Sequence, residues 1–236
     1  VPGPPAGLVA QPRDPGPAPA PADFDRLLRP FTRLAAARDE RGGAGLGLAI
    51  SSPVLLAAAV AIKLDSPGPV IFRQKRVGLN GAPFEILKFR TMRVDAEKVG
   101  AQLTVGADPR ITKVGAFLRA WKIDELPQLV NVVKGEMALV GPRPEVPRYV
   151  ELYTAEQRRV LSVRPGITDP ASIEFRNESE LMAGQADPER YYREVIMPRK
   201  VQLNLAYLAR RSLGSDLGML FATVKAVLLG REGEEA

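Results

Sequence analysis

KIDELPQLVNVVKGEMALVGPRP, residues 122 to 144, sets an adjacent Asp124 and Glu125 at what reads as a helix start, with an arginine between two prolines downstream. Leu126, Leu129, Val130 and Val133 recur at helical spacing, Asp124 stands ahead of them as an N-cap, and Gly135 follows Lys134 as a stop signal. Pro127 falls in the first turn, where a missing N–H costs little. The spacing therefore predicts a helix over 125–134. Carboxylates at its start would face the positive pole of the helix dipole, which favours their ionised form and makes the same spot attractive to phosphate.

Asp followed by Glu at a helix start is also ordinary punctuation, so the pair gains meaning from its surroundings. Arg119 and Lys122 lie just upstream, and Arg143 sits in the stiff GPRP turn. The segment SPGPVIFRQKRVGLNGAPFEILKFRTM, residues 66 to 92, adds Arg73, Lys75, Arg76, Lys88 and Arg90 among turn signals. The chain has no His and no Cys. Imidazole and thiol chemistry and soft metal ligation are thereby removed, which leaves carboxylates, hydroxyls, Lys and Arg to carry any covalent or metal chemistry.

The chain has 236 residues and a formal charge of +6, enough for one sizeable domain with appendages. The charge calls for an acidic partner: nucleic acid, an anionic membrane face or a phosphorylated substrate. The absence of cysteine excludes disulfides and fits a reducing compartment.

Composition divides the chain further. Residues 1–22 form a Pro- and Ala-rich lead expected to be disordered, and 23–41 a basic amphipathic segment in which Phe24, Leu27, Leu28, Phe31 and Leu34 interleave with arginines. From Gly42 to Ile62 no charged residue occurs, although Ser51, Ser52 and Pro53 interrupt the middle. About 20 apolar residues suffice to cross a bilayer. Both flanks are basic, however, so the positive-inside rule gives a spanning helix no orientation. The segment 42–65 is accordingly expected to be a re-entrant membrane helix broken at Ser52 and Pro53, with a straight spanning helix as the alternative. Residues 66–229 are expected to be one catalytic unit. Strands at 70–72 and 84–89 flank a turn at 78–83, and helices fall near 113–123, 125–134, 154–162, 187–210 and 216–229. Residues 230–236 read as a mobile acidic tail. The fold class expected is α+β, helix-rich, with a small β-hairpin.

SPGPVIFRQKRVGLNG (66–81), KFRTM (88–92), the DELPQLVNVVKGEMALVGPRP run (124–144) and RPGIT (164–168), in this order, resemble the bacterial sugar transferase family. These are the monotopic phosphoglycosyl transferases of glycan assembly, and the resemblance extends over residues 42 to 229. It implies the small, single-domain form, acting at the cytoplasmic leaflet of a bacterial inner membrane. There a sugar phosphate passes from a UDP-sugar to a polyprenol phosphate with release of UMP. By resemblance Asp124 is the nucleophile that takes the phosphosugar as an acyl phosphate, and Glu125 helps hold Mg²⁺. Arg119 and Arg143 fall at positions associated with the phosphate site, Lys88 and Arg90 of KFRTM join the substrate-binding set, and Ser52-Pro53 matches the family's helix break. One segment departs: many relatives follow RPGIT with a GLxQVxGR-like stretch, where this chain has DPASIEFR (169–176). Arg176 fills the arginine position by counting, in a region the resemblance sets near the sugar. The resemblance calls for no nucleic acid and leaves a homodimer open. The competing class is a membrane-anchored basic module that binds nucleic acid or anionic lipid through residues 73–93, with Asp124 and Glu125 as mere helix punctuation.

Overall fold

The computed structural model describes residues 43–96 and 103–229, with side chains for 53–96 and 103–227. The lead at 1–22, the basic segment at 23–41 and the tail at 230–236 lie outside the described residues. Residues from Ser51 onward form one compact unit; of the unit that ends at Ile50, only the first turns of one helix are described.

That helix, α1, runs Gly43–Asp65 and contains Pro53. The sequence predicts a break at Ser52-Pro53, and the helical assignment continues on both sides of the proline. Val54, Leu56, Val60 and Leu64 are exposed, whereas Ala58 and Ile62 are buried. No helix among the described residues is long and apolar enough to cross a membrane.

Strands β1 (Ile71–Val77) and β2 (Pro83–Phe89) pair antiparallel, with Ile71 opposite Phe89 and Val77 opposite Pro83. Asn80 and Gly81 reverse the chain between them at φ of 54° and 81°, the left-handed region that Asn and Gly tolerate best. Helix α2 (Lys113–Ala120) starts at Thr112, whose hydroxyl accepts from the Gly115 amide at 3.0 Å. Gly115 allows α2 to touch the chain after β2, since a Cβ there would lie 2.1 Å from the Thr91 carbonyl oxygen.

A 3₁₀ turn at Ile123–Glu125 leads into α3 (Gln128–Val133). Strand β3 (Ala138–Val140), α4 (Pro147–Val150) and a 3₁₀ segment at Gln157–Ser162 follow. Strand β4 (Gly166–Thr168) lies parallel to β3, a pairing without a local sequence signal. Helices α5 (Pro170–Glu174), α6 (Glu178–Ala183) and α7 (Pro188–Tyr191) come next. A π turn at Tyr192–Ile196 then joins α7 to α8 (Met197–Ala209), and α9 (Leu213–Leu229) completes the described chain. The α+β, helix-rich class with a small hairpin is as expected.

The stretch around Asp124 differs from its expected form. Lys122 adopts φ 56° and ψ 19°, so the chain turns sharply after α2; Asp124 sits inside the 3₁₀ turn, and Pro127, not Asp124, precedes the helix. Apart from Pro127, the buried residues of the turn and α3 are polar, Asp124, Gln128 and Asn131, while Val133 is exposed. Asn131 explains the inversion. Its side chain accepts from the Leu87 amide at 3.0 Å and donates to the Glu85 carbonyl at 2.8 Å, knitting α3 to β2. These bonds satisfy main-chain groups that an apolar side chain would leave unpaired.

Two apolar cores flank the site. Ala58, Ile62, Phe89 and Leu118 form one; Val146, Tyr149, Met182, Tyr192, Ile196 and Met197 form the other. Helix α9 leaves Leu213, Leu217, Phe221 and Val224 exposed.

Candidate active site

A cavity of about 1260 Å³ opens between the hairpin, the Asp124 turn, the GPRP loop and the α5–α8 helices, and members of both cores line it. Its floor holds the two adjacent carboxylates. Glu125 is gripped: Arg143 Nη1 donates to Oε2 at 2.9 Å, Arg143 Nη2 donates to Oε1, and Lys88 Nζ lies 3.5 Å from Oε1. Asp124 is 7 % exposed, and its Oδ1 has no hydrogen-bond partner among the described residues.

The environments of these neighbours push them apart. Burial would raise both carboxyls. At Glu125 the Arg143 and Lys88 charges outweigh it and hold the group well below the usual carboxylate range. At Asp124 burial wins, with Glu125 adding to the upward push, so its carboxyl stands above the usual value despite Lys88, Lys122 and Arg119. Lys88 is itself lowered to about 8 by burial, against the upward pull of Glu125. Adjacent groups driven in opposite directions are a mark of divided chemical roles.

Arg143 is held from both sides. Its amide donates to Asp169 Oδ2 at 2.8 Å, and its Nη1 also reaches the Ile167 carbonyl at 3.1 Å. Beyond Pro144, Glu145 accepts from Arg76 at 3.2 Å and from the Tyr192 hydroxyl. Arg76 further donates to the Pro144 carbonyl at 3.1 Å and to Gln74 at 2.7 Å. Two prolines and these clamps fix the loop before any ligand arrives.

The remaining expected residues divide. Arg119 lines the cavity from α2; its Nε donates to the Thr91 hydroxyl at 2.8 Å and its Nη1 to the Thr104 hydroxyl at 3.4 Å. Neutral partners leave that charge uncompensated by direct ion pairing among the described residues. Arg176, half-buried after α5, lines the same cavity and makes no hydrogen bond or ion pair among the described residues. Arg90 also lines the cavity, but its terminal nitrogens donate to the Ser66 carbonyl at 2.8 Å and to the Pro67 carbonyl, tying down the α1–β1 connection. Pro53 lies in α1, and the Ser52 side chain falls outside the described set.

Sequence reasoning missed Asp169, Glu145, Asn204 and Ser172, and gave Arg76 no role beyond the basic surroundings. Asp169 carried a signal, because an Asp before Pro170 marks a helix start, and its Oδ1 does accept from the Ser172 amide at 2.6 Å. The Arg76–Glu145 pair spans 69 positions and had none.

Among the described residues no group of three or more Asp or Glu side chains is placed to hold a metal. Mg²⁺ needs no such cage, since it commonly binds one or two carboxylates plus substrate phosphates. The unpaired Asp124 Oδ1 beside Glu125 suits that sparse donor set.

The family model described as bacterial sugar transferase matches residues 37–230. The chain is 41 % identical over 188 residues to a UDP-glucose:undecaprenyl-phosphate glucose-1-phosphate transferase of Caulobacter vibrioides, covering 78 % of this chain and 66 % of that protein. Identity is 39 % over 206 residues to the protein of the same name in Escherichia coli K12, covering 85 % and 42 %. An Aeromonas hydrophila UDP-N-acetylgalactosamine-undecaprenyl-phosphate N-acetylgalactosaminephosphotransferase is 39 % identical over 190 residues, covering 78 % and 41 %. The chain thus spans between two-fifths and two-thirds of the length of these curated relatives.

Proposed function

The chain belongs to the bacterial sugar transferase family, and from that premise we propose that it moves a sugar 1-phosphate from a UDP-sugar to a polyprenol phosphate through a covalent intermediate on Asp124. The observation that carries this reading is the division of roles at the turn. One carboxylate is locked by Arg143 and Lys88, and its neighbour, on the lining of a large, cation-rich cavity, keeps an oxygen without a partner among the described residues. The relatives' names give undecaprenyl phosphate as acceptor, which supports the acceptor class.

An Asp124 oxygen attacks the phosphorus that carries the sugar, the bond from that phosphorus to the bridging oxygen breaks, and UMP departs with the electron pair. A phosphate oxygen of the polyprenol phosphate then attacks the same phosphorus. The Asp124–phosphorus bond breaks, and the carboxylate returns with a polyprenyl diphosphosugar formed. Splitting the transfer lets the water-soluble donor and the lipid acceptor use one nucleophile in turn.

Glu125, Lys88 and Arg143 set the floor's charge and position Asp124, while Arg119 and Arg176 face the phosphates from the cavity wall. Asp124 and Glu125 would hold Mg²⁺ together with the donor's diphosphate, and the ion would supply charge neutralisation there.

Membrane association rests on the exposed apolar residues of α1 and α9 and on the nature of the acceptor. Residues 42–65 act as a re-entrant helix entering from the cytoplasmic face. A nucleic-acid module gains little support: Arg76, Lys88 and Arg90 of the basic 73–93 stretch are engaged inside the protein. A panel of UDP-sugars assayed for UMP release with polyprenol phosphate and Mg²⁺ tests the proposal. Release from at least one donor is expected; none from any donor would overturn it.

A further inference from the structure

Besides the charged Asp124 and Arg90, two neutral side chains on the cavity wall have buried atoms without partners among the described residues: Ser172 Oγ on α5 and Asn204 Oδ1 on α8. Asn204 is 6 % exposed. A buried amide oxygen or hydroxyl left unpaired costs stability, and native proteins retain few such groups without a use. Both side chains belong to one cluster. Asp169, fully buried, accepts from the Ser172 amide at 2.6 Å, from Asn204 Nδ2 at 2.7 Å and from the Arg143 amide at 2.8 Å.

The carboxylate fixes the Asn204 orientation. It is the acceptor in each of these bonds, so the amide nitrogen faces it and Oδ1 is left turned away as an acceptor. Ser172 Oγ, on the residue whose amide bonds the other oxygen of the same carboxylate, can donate or accept. An acceptor backed by a carboxylate repels anions and lacks a proton to give to phosphate; it suits a neutral group that donates. Through Asp169 the pair is anchored to the backbone of Arg143, whose guanidinium grips Glu125, so a chain of two residues ties it to the carboxylate pair. The sugar is bonded directly to the phosphorus that Asp124 attacks, whereas the uracil lies beyond a further phosphate and a ribose.

We infer that Asn204 and Ser172 form a hexose-reading subsite in which Asn204 Oδ1 accepts from a ring hydroxyl or acetamido N–H of the donor sugar and Ser172 Oγ makes the adjoining hydrogen bond. This rests on the proposed phosphoglycosyl transfer. It accounts for the buried unpaired atoms and identifies the Asp169 cluster as the element coupling sugar recognition to the Arg143 loop.

The test uses the full chain in detergent or nanodiscs, with UDP-hexoses and their single-position epimers and deoxy analogues. Ser172→Ala keeps the main-chain bond to Asp169, and Asn204→Leu keeps the branching of the amide without its polar atoms. In each folded variant, kcat/KM for the preferred sugar should fall about tenfold, the worth of one hydrogen bond. It should stay unchanged for the analogue that lacks the group read, and inhibition by UMP should not move. Equal losses on every sugar, an unaltered sugar preference, or a parallel loss of UMP affinity would each overturn the inference; the last would assign the pair to the nucleotide. Failure of the wild type to release UMP from the whole panel would instead strike the transferase reading itself.

Discussion

Arg143 holds Glu125 with both ends of its guanidinium, Nη1 donating to Oε2 at 2.9 Å and Nη2 to Oε1. The planar fork matches the carboxylate, as a lysine would not. The neighbouring Asp124 is thereby the carboxylate with an oxygen to offer. Sequence context assigned Arg143 to substrate phosphate; the structure shows its fork on Glu125.

Replacing Arg143 therefore separates two roles. Arg143→Ala leaves a buried carboxylate short of its main partner and should cost about 3 kcal/mol of stability, read by urea unfolding. Arg143→Lys should be milder on stability yet lower kcat on the order of tenfold to a hundredfold, the worth of a charged hydrogen bond at about 1.5–3 kcal/mol. KM for the donor should change little. A large rise in KM with kcat intact would place the fork on substrate instead.

The pH profile should be bell-shaped. Asp124 must be ionised to attack, and burial raises its carboxyl above the ordinary 3.8, which delays the acid limb. Lys88, lowered by burial to about 8, should set the alkaline limb, and Lys88→Arg should push that limb upward. Stability follows with a defined sign. Between about 8 and the ordinary 10.5, the unfolded chain binds more protons at Lys88 than the folded one, so stability rises with pH across that window. The cost of burying the ammonium is fully present below it. Glu125, depressed, contributes stability above its ordinary 4.5 that is lost as pH falls. Urea midpoints at pH 7.5 and 9.5 should show a gain for wild type that Lys88→Met lacks.

Much of the site was legible because its chemistry is written locally. Asp124-Glu125, Arg143 between prolines and Lys88 beside a hairpin are residue types and turns that a linear reading can find. The periodicity of Leu126, Leu129, Val130 and Val133 misled. It marks an apolar stripe without saying which face is buried, and the bonds from Asn131 to β2 buried the polar face. Arg90 shows the same gap, since nothing in KFRTM distinguishes a cation aimed at phosphate from one tying the Ser66 and Pro67 carbonyls. The β3–β4 pairing and the Arg76–Glu145 clamp join distant segments, which local propensity does not encode.

Metal dependence is the next expectation. Removal of divalent ions with EDTA should abolish UMP release, and Mg²⁺ should restore it in the wild type. Glu125→Gln should restore poorly, because the neutral amide weakens both the Arg143 grip and the support for a cation. Full wild-type activity in metal-free buffer would contradict the assignment.

Topology can be read by thiol labelling, since the chain has no cysteine of its own. Gly43→Cys and Lys63→Cys, at opposite ends of α1, should both react with a membrane-impermeant reagent only when the cytoplasmic side is exposed. Labelling of the two from opposite sides would establish a spanning helix and retire the re-entrant reading.

The covalent role of Asp124 is tested most directly by intact-protein mass spectrometry after mixing with a UDP-sugar in the absence of acceptor lipid. The wild type should gain the mass of one sugar phosphate and lose it when polyprenol phosphate is added. Asp124→Asn should stay folded, because an amide of the same shape fits the turn, yet gain nothing and turn over no donor. Sustained turnover by folded Asp124→Asn, or an adduct mapped to another residue, would contradict the account.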